Sequence, residues 1–279
     1  MTHNYLTFKP SQQIAEAGIA RVESCICDIR RWMRDNFLKL NDDKTEFMII
    51  GSPQQLTKIS IPFIKIGDHN ICPVSQARNL GVIFDSHMSF KSHISHTVRS
   101  AQFHMRNIGK IRKYLTRNST EQIIHSFVTS RLDMGNSLLF GLPQEQLSRF
   151  QRIQNAAARL VTLTKMSTHI TPILKDLHWL PISYRIIYKL LLLVYKALNG
   201  KAPPYIMDLL STYQPSRTLR SRNKHLLIEP RSHRSWGDRS FSVAAPHLWN
   251  QLPLHIRSSD SILSFKKSLK THLMSQAFT

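Results

Sequence analysis

The stretch Ile94-Ser-His-Thr-Val-Arg-Ser-Ala-Gln-Phe-His-Met-Arg-Asn-Ile-Gly-Lys-Ile111 is where the chain changes character. Ile94, Val98, Ala101, Met105, Ile108 and Ile111 recur every three or four residues, the spacing of one apolar helix face. Arg99, Arg106, Lys110, Arg112, Lys113 and Arg117 carry the other face, and no carboxylate occurs between Asp85 and Glu121. From here the helical period persists. Ser119-Thr-Glu-Gln122 reads as a capping box that starts the next helix, which Gly135 ends. Pro143 opens a third helix that runs to about Thr164 through Phe150, Ile153, Ala157 and Leu160. Tyr184 to Leu198 predicts a mostly buried helix stopped by Asn199-Gly200. Ser242 to Leu252 predicts a short helix anchored by Trp249, and Ile262 to Phe278 a terminal one carrying Phe265, Leu269 and Leu273.

Upstream the pattern is mixed. Val22, Ile26, Ile29, Met33 and Phe37 make Ser11 to Asn36 an amphipathic helix. Asn41-Asp-Asp-Lys44 predicts a polar turn, and Glu46 to Gly51, Ile59 to Ile66 and Leu80 to Phe84 predict short strands, with Pro62 confined to an edge. Residues 1–88 therefore read as α+β, and the remainder as mostly helical.

Composition narrows the function. The 279 residues hold 38 Lys and Arg against 17 Asp and Glu, a formal net charge of +21. Such self-repulsion is relieved by a polyanion, and nucleic acid is the default. The apolar share of 42% excludes a disordered tail. The greasiest run, Leu190 to Tyr195, lies between Lys189 and Lys196 and is too short to span a bilayer. Cys25, Cys27 and Cys72 cannot build a disulfide framework, and the first ten residues lack the apolar core of a secretion signal. The expectation is an intracellular protein of the cytoplasm or nucleus, neither secreted nor in a membrane.

Tyr213 to Arg239 has no sustained period and reads as a basic loop with one short strand, Leu226 to Ile228. Its Arg217, Arg220, Arg222 and Lys224, with Tyr213 before and Trp236 after, combine cations with stacking rings in the manner of single-strand binders. His93 and His96 find no third ligand at a metal-binding spacing and are assigned to the polar face of their helix.

Trp32-Met33, Asn36, Leu38-Lys-Leu-Asn41, Lys44-Thr-Glu46 and Asn79-Leu-Gly-Val-Ile-Phe-Asp85 follow one another in an order that resembles the later palm and thumb entry of reverse transcriptases from LINE-type (non-LTR, jockey-like) retrotransposons. Leu177-His-Trp-Leu-Pro181, Tyr195-Lys-Ala-Leu198, Arg217-Thr-Leu-Arg-Ser221 and Ala244-Ala-Pro-His-Leu-Trp-Asn-Gln-Leu-Pro253 resemble the region after the polymerase in the same reading frames. The resemblance implies a remnant of the polymerase palm over 1–88, a helical thumb over 89–165, and a mostly helical post-polymerase region over 166–279 with its basic loop at 213–239. It implies partners too: RNA, an RNA/DNA hybrid or DNA, held through phosphates.

In that family an aromatic-x-Asp-Asp hairpin holds Mg²⁺ shortly before the helix that Ser11 to Asn36 resembles, and two metal ions carry out the transfer. No aromatic-x-Asp-Asp occurs in this chain. Asp42-Asp43, the one adjacent carboxylate pair, lies in a phrase that resembles motif D, without a third carboxylate on a neighbouring strand. The expectation is therefore no metal site and no cofactor in this chain, with Lys44 a latent motif D general acid. Leu80, Gly81 and Val82 resemble the primer-grip turn. The resulting expectation is a fragment of an RNA-directed DNA polymerase that binds nucleic acid and does not extend it. The same residues fit a stand-alone basic nucleic-acid-binding or interaction module, or a transposon relic without a task.

Overall fold

The structure, a computed structural model, describes residues 12–67, 69–214, 224–232 and 235–279. They form two units, divided between His93 and Ile94. The first is mixed, with two antiparallel sheets of two strands each; the second is helical.

In the first unit α1 (Gln12–Asp35) lays its half-buried stripe of Val22, Ile26, Ile29 and Met33 toward β1 (Ile64–Ile66). The Glu23 carboxylate accepts from the Lys65 amide at 2.6 Å. The stripe ends before Phe37, which is fully exposed. Phe37 takes a left-handed conformation that lets the Leu38 amide close back onto the Met33 carbonyl at 2.7 Å, terminating the helix. A 3₁₀ turn, Asp42–Lys44, and a four-residue helix, α2 (Pro53–Leu56), follow; Ser52 and Gln55 form the capping box of α2.

One expected strand is reduced to a bridge and another is shortened, both at proline. Glu46 to Gly51 makes a single bridge, Phe47 to Pro73, and Pro73 has no N–H with which to continue a ladder. Of Ile59 to Ile66 only Ile64–Ile66, beyond Pro62, is paired, with β2 (His69–Ile71). At the turn, Gly67 has a φ of +62°, and a Cβ there would stand 1.9 Å from the Arg30 guanidinium. Only glycine fits.

The second hairpin joins β3 (Gln76–Asn79) to β4 (Val82–Asp85) in the register Asn79 opposite Val82. Two residues remain for the turn, Leu80 at φ +46° and Gly81 at φ +90°, the positive-φ pair that matches strand twist. Asp85 then organises the chain beyond the hairpin. Its carboxylate accepts from the amides of His87, Ser89 and Phe90 and from the Ser89 hydroxyl, at 2.7–3.2 Å. This pins a turn in which Met88 and Phe90 have positive φ, and Phe90 packs edge-on to Phe84 at 5.6 Å. His93 departs from expectation: it is 2% exposed, and its Nδ1 accepts from the Ile83 amide at 3.4 Å. His96 alone is on the polar face.

α3 (Lys91–Ile111) leads through a 3₁₀ turn, Arg112–Tyr114, into α4 (Arg117–Ile124). The N-cap of α4 is Thr116, whose hydroxyl accepts from the Ser119 amide at 3.1 Å, so the helix begins before the expected Ser119. A π-helical turn (His125–Thr129), α5 (Ser130–Asp133) and a 3₁₀ turn (Asn136–Leu139) lead to α6 (Gln144–Thr162). Then come α7 (Ile170–Asp176), α8 (Ile182–Leu198), α9 (Pro204–Met207), α10 (Ser235–Asp238), α11 (Phe241–Asn250), α12 (Leu254–Arg257) and α13 (Ile262–Phe278). Among the described residues no helix is long and apolar enough to cross a membrane.

The core gathers on α8. Leu191, Val194 and Tyr195 meet Ala245 and Trp249 of α11 and Phe265, Leu269 and Leu273 of α13. Tyr195 stacks on Phe265 at 4.2 Å, with its hydroxyl donating to the Ser259 carbonyl at 2.8 Å. Expected strand Leu226 to Ile228 is one bridge, Leu227 to Thr212, because the Asn250 amide takes over the role of a neighbouring strand. It accepts from the Leu227 amide and donates to the Leu227 carbonyl, both at 2.9 Å. The same amide and His247 hold Glu229, whose carboxyl is kept below its ordinary range first by Asn250.

Leucine at a positive-φ turn position is strained, and Leu80 is 80% exposed, so its side chain recovers little by burial. Leu80→Asn should therefore raise the stability of the first unit by about 0.5–1 kcal/mol. Urea unfolding would register this as a higher midpoint at unchanged slope.

Candidate nucleic-acid interface

Helical arithmetic places Arg99, Phe103, Arg106 and Lys110 at i, i+4, i+7 and i+11, a single face of α3. All four are exposed, Phe103 by 58%. Ala101 and Ile108 are buried on the other face, where Val98 also turns inward. The Arg99 and Arg106 side chains each lie along their own helix, donating from Nε to the carbonyls of Ser95 and Gln102 at 3.4 Å. Their remaining N–H groups stay available to an anion. Lys113 continues the run past the helix end, its ammonium 4.8 Å above the exposed Tyr114 ring.

Next to this stripe the structure sets an aromatic group. His104 packs edge-on to Phe103 and stacks on Phe127, both at 5.4 Å. Phe127, on the π-helical turn, is 47% exposed. Partial burial, and then the nearby Arg131 charge, keep the His104 pKa below its ordinary value, so the ring is neutral at neutral pH. Cations interleaved with exposed flat rings are what a nucleic-acid strand requires: charge for phosphate, faces for bases.

Two arginines fix the inner side of the same helix. Arg131 donates to the Ser100 hydroxyl and Arg149 to the Ser95 hydroxyl, each at 3.0 Å. A third overturns an expectation. Arg112, assigned to phosphate from its place in the sequence, is 8% exposed. Its guanidinium donates at 2.8 Å to the carbonyls of Leu160, Val161 and Leu115. Arg112 stands four residues beyond the buried Ile108 and eleven beyond the buried Ala101, so helical phase already directs it inward, onto the end of α6. Arg117 stands at the first turn of α4 and pairs with Asp176, so it is not a free phosphate contact either.

The other residues expected at a site disperse. Arg217, Arg220 and Arg222 lie outside the described residues, as does the side chain of Trp236; Lys224 is exposed and Tyr213 is 39% exposed. Lys44 is an exposed residue of the 3₁₀ turn, its amide donating to the Asn41 side chain at 3.2 Å. Leu80 and Gly81 form the hairpin tip, and Val82 is 5% exposed. Among the described residues no group of three or more His, Cys, Asp or Glu could hold a metal ion. Asp43 is exposed beside Lys44. Sequence reasoning missed Phe103 and Phe127. Phe103 was legible, since the same spacing that sorts the apolar face also sorts the polar one; Phe127 depends on the π turn, which has no sequence signature.

No family model matches the chain, and no curated protein or solved structure gives a significant match.

The inward and outward cations differ in what their loss should do. Arg112→Gln strips partners from buried carbonyls and should destabilise by about 3 kcal/mol, while Lys110→Gln should stay within about 0.5 kcal/mol. Equal effects of the two in urea unfolding would contradict the assignment of Arg112 to the interior.

Proposed function

We propose that the chain binds nucleic acid through the outer face of α3, as the thumb-side portion of a LINE-type reverse transcriptase that follows the catalytic aspartates. The observation that carries the binding is the exposed run Arg99, Phe103, Arg106, Lys110 and Lys113, in a segment without carboxylates and in a chain of net charge +21. The family assignment is supported by the ordered phrases from Trp32 to Pro253. In this reading the first unit is the remnant of the palm, the tip Leu80-Gly81 is the primer-grip turn, and Lys44 is a motif D lysine without metal ions to serve. The partners are RNA, RNA/DNA hybrid or DNA inside the cell, in the nucleus or cytoplasm. Lacking an aromatic-x-Asp-Asp segment, the chain as it stands should not extend a primer with Mg²⁺ or Mn²⁺.

Because phosphate contacts carry the affinity, sequence preference should be low and salt dependence steep. Four contacts, from Arg99, Arg106, Lys110 and Lys113, set a slope of log K against log salt near about −3.6 on duplex. That is a loss on the order of a hundredfold between roughly 50 and 200 mM salt. Lys110→Glu with Lys113→Glu should flatten the slope by about two units. Phe103→Ala should cost single strands about 1–3 kcal/mol and leave duplex almost unchanged. A charge-reversed α3 that binds as tightly as the parent would refute the interface.

A further inference from the structure

A second feature of the helical unit involves no residue of α3. Residues between the end of α4 and α8, with one from α13, enclose a cleft of about 450 Å³, within the range of about 300–1,000 Å³ typical of small-molecule sites. Its floor is apolar and aromatic, with Trp179 and Leu180 buried and Leu192 half-buried.

The polar groups of the cleft divide into those already committed and those left open. Glu121 is committed: it accepts from Trp179 Nε1 at 3.1 Å and stands 3.5 Å from His125 Nε2. The His125 ring lies 5.2 Å from the Trp179 ring, carried there by the first residue of the π-helical turn. Such turns recur at functional sites. Asp133 is committed as well. Arg185 clamps both of its oxygens, and Asn136 donates to Oδ1 at 3.1 Å.

What remains is positive at the mouth and hydrogen-bonding within. Lys189 and Lys270 line the cleft and are exposed, and neither is paired with a carboxylate among the described residues. The Asn136 carbonyl oxygen, in a side chain that is 4% exposed, is buried without a partner. A buried acceptor of this kind calls for an explanation. Asn136 lines the cleft, and a donor that reaches this oxygen would satisfy it while Nδ2 stays on Asp133.

A ligand that matches these groups has an anionic end for the two ammoniums, a flat apolar body for the floor and an N–H donor at its far end. We infer that the cleft binds a nucleoside monophosphate unit, phosphate toward Lys189 and Lys270 and base toward Trp179 and Asn136. Its source is either a free mononucleotide or one unpaired nucleotide of a strand. The choice of nucleotide over other anions of that shape rests on the nucleic-acid reading of the chain, whereas the site itself is independent of the α3 stripe.

Calorimetric titration of the whole chain tests it with AMP, adenosine, inorganic phosphate and an adenine oligonucleotide. AMP should bind, with adenosine and phosphate each at least tenfold weaker. Lys189→Glu with Lys270→Glu, two exposed positions, should weaken AMP at least tenfold while urea unfolding stays unchanged. Measured in the α3 variant Lys110→Glu with Lys113→Glu carrying Phe103→Ala as well, tighter binding of AMP than of the oligonucleotide assigns a free mononucleotide, and the reverse order, lost with Lys189→Glu and Lys270→Glu, assigns an unpaired nucleotide of a strand. The variant Lys110→Glu with Lys113→Glu should weaken duplex binding and keep AMP. Phosphate binding as tight as AMP, no AMP binding by the parent chain, or AMP loss in the α3 variant would each overturn the site. A parent chain that binds AMP but shows no salt-dependent duplex affinity would instead retain the cleft and reject the function proposed for α3.

Discussion

One guanidinium determines how α3 is held. The last carbonyls of any helix have no partner within it, and α6 ends at Thr162, leaving those of Leu160 and Val161 in that position. Arg112 donates to both and to Leu115, which also places a positive charge at the negative end of the α6 dipole. The three bonds leave from three separate nitrogens of the guanidinium, Nε, Nη1 and Nη2, a spread that the single nitrogen of a lysine does not have. Arg131 and Arg149 add their bonds to Ser100 and Ser95 farther up the helix. Held at these points, α3 has one face left for solvent, and it is the face with Arg99, Phe103, Arg106 and Lys110.

The basic residues thus serve two purposes that composition cannot separate. Those bonded to carbonyls or hydroxyls of the protein lower the net repulsion of a chain at +21 by placing charge against dipoles. Those on the outer stripe leave the repulsion in place, where only a polyanion relieves it. Lys110 and Arg112, two residues apart in the sequence, point to opposite sides of the helix axis, Lys110 in phase with Arg99 and Arg106 and Arg112 in phase with Ala101 and Ile108.

This is also the measure of what the sequence revealed. Long amphipathic segments were legible: α1, α6, α8 and α13 lie where spacing put them, because burying a stripe is a property of every residue in it. The short strands were legible only in part: Leu80 to Phe84 and Ile59 to Ile66 each overlap a paired strand, Val82–Asp85 and Ile64–Ile66. Glu46 to Gly51 has strand composition, yet pairing is decided by its neighbour, and the neighbour is Pro73. Leu226 to Ile228 is likewise held by a side chain, Asn250, distant in sequence. Of the candidate interface, the cations were legible as a class, and helical spacing separates Arg112 from the outer stripe; the pairing of Arg117 with Asp176 was not legible, since it depends on another helix.

Helix ends show the same dependence on context. With only 9 glycines in 279 residues, several helices stop on residues with a side chain in the left-handed region. Phe37 ends α1, Leu163 ends α6 and His178 follows α7, each allowing a backbone amide to close onto an earlier carbonyl. Such a residue costs roughly 1–2 kcal/mol relative to the right-handed region. The strain at His178 is offset nearby: the next residue, Trp179, is drawn inward, its amide on the Leu174 carbonyl at 2.9 Å and its indole on Glu121. The burial of one tryptophan therefore holds a strained turn in place. The same turn brings His178, Trp179 and Leu180 to the lining of the cleft, so its shape depends on a conformation that no glycine signals in the sequence.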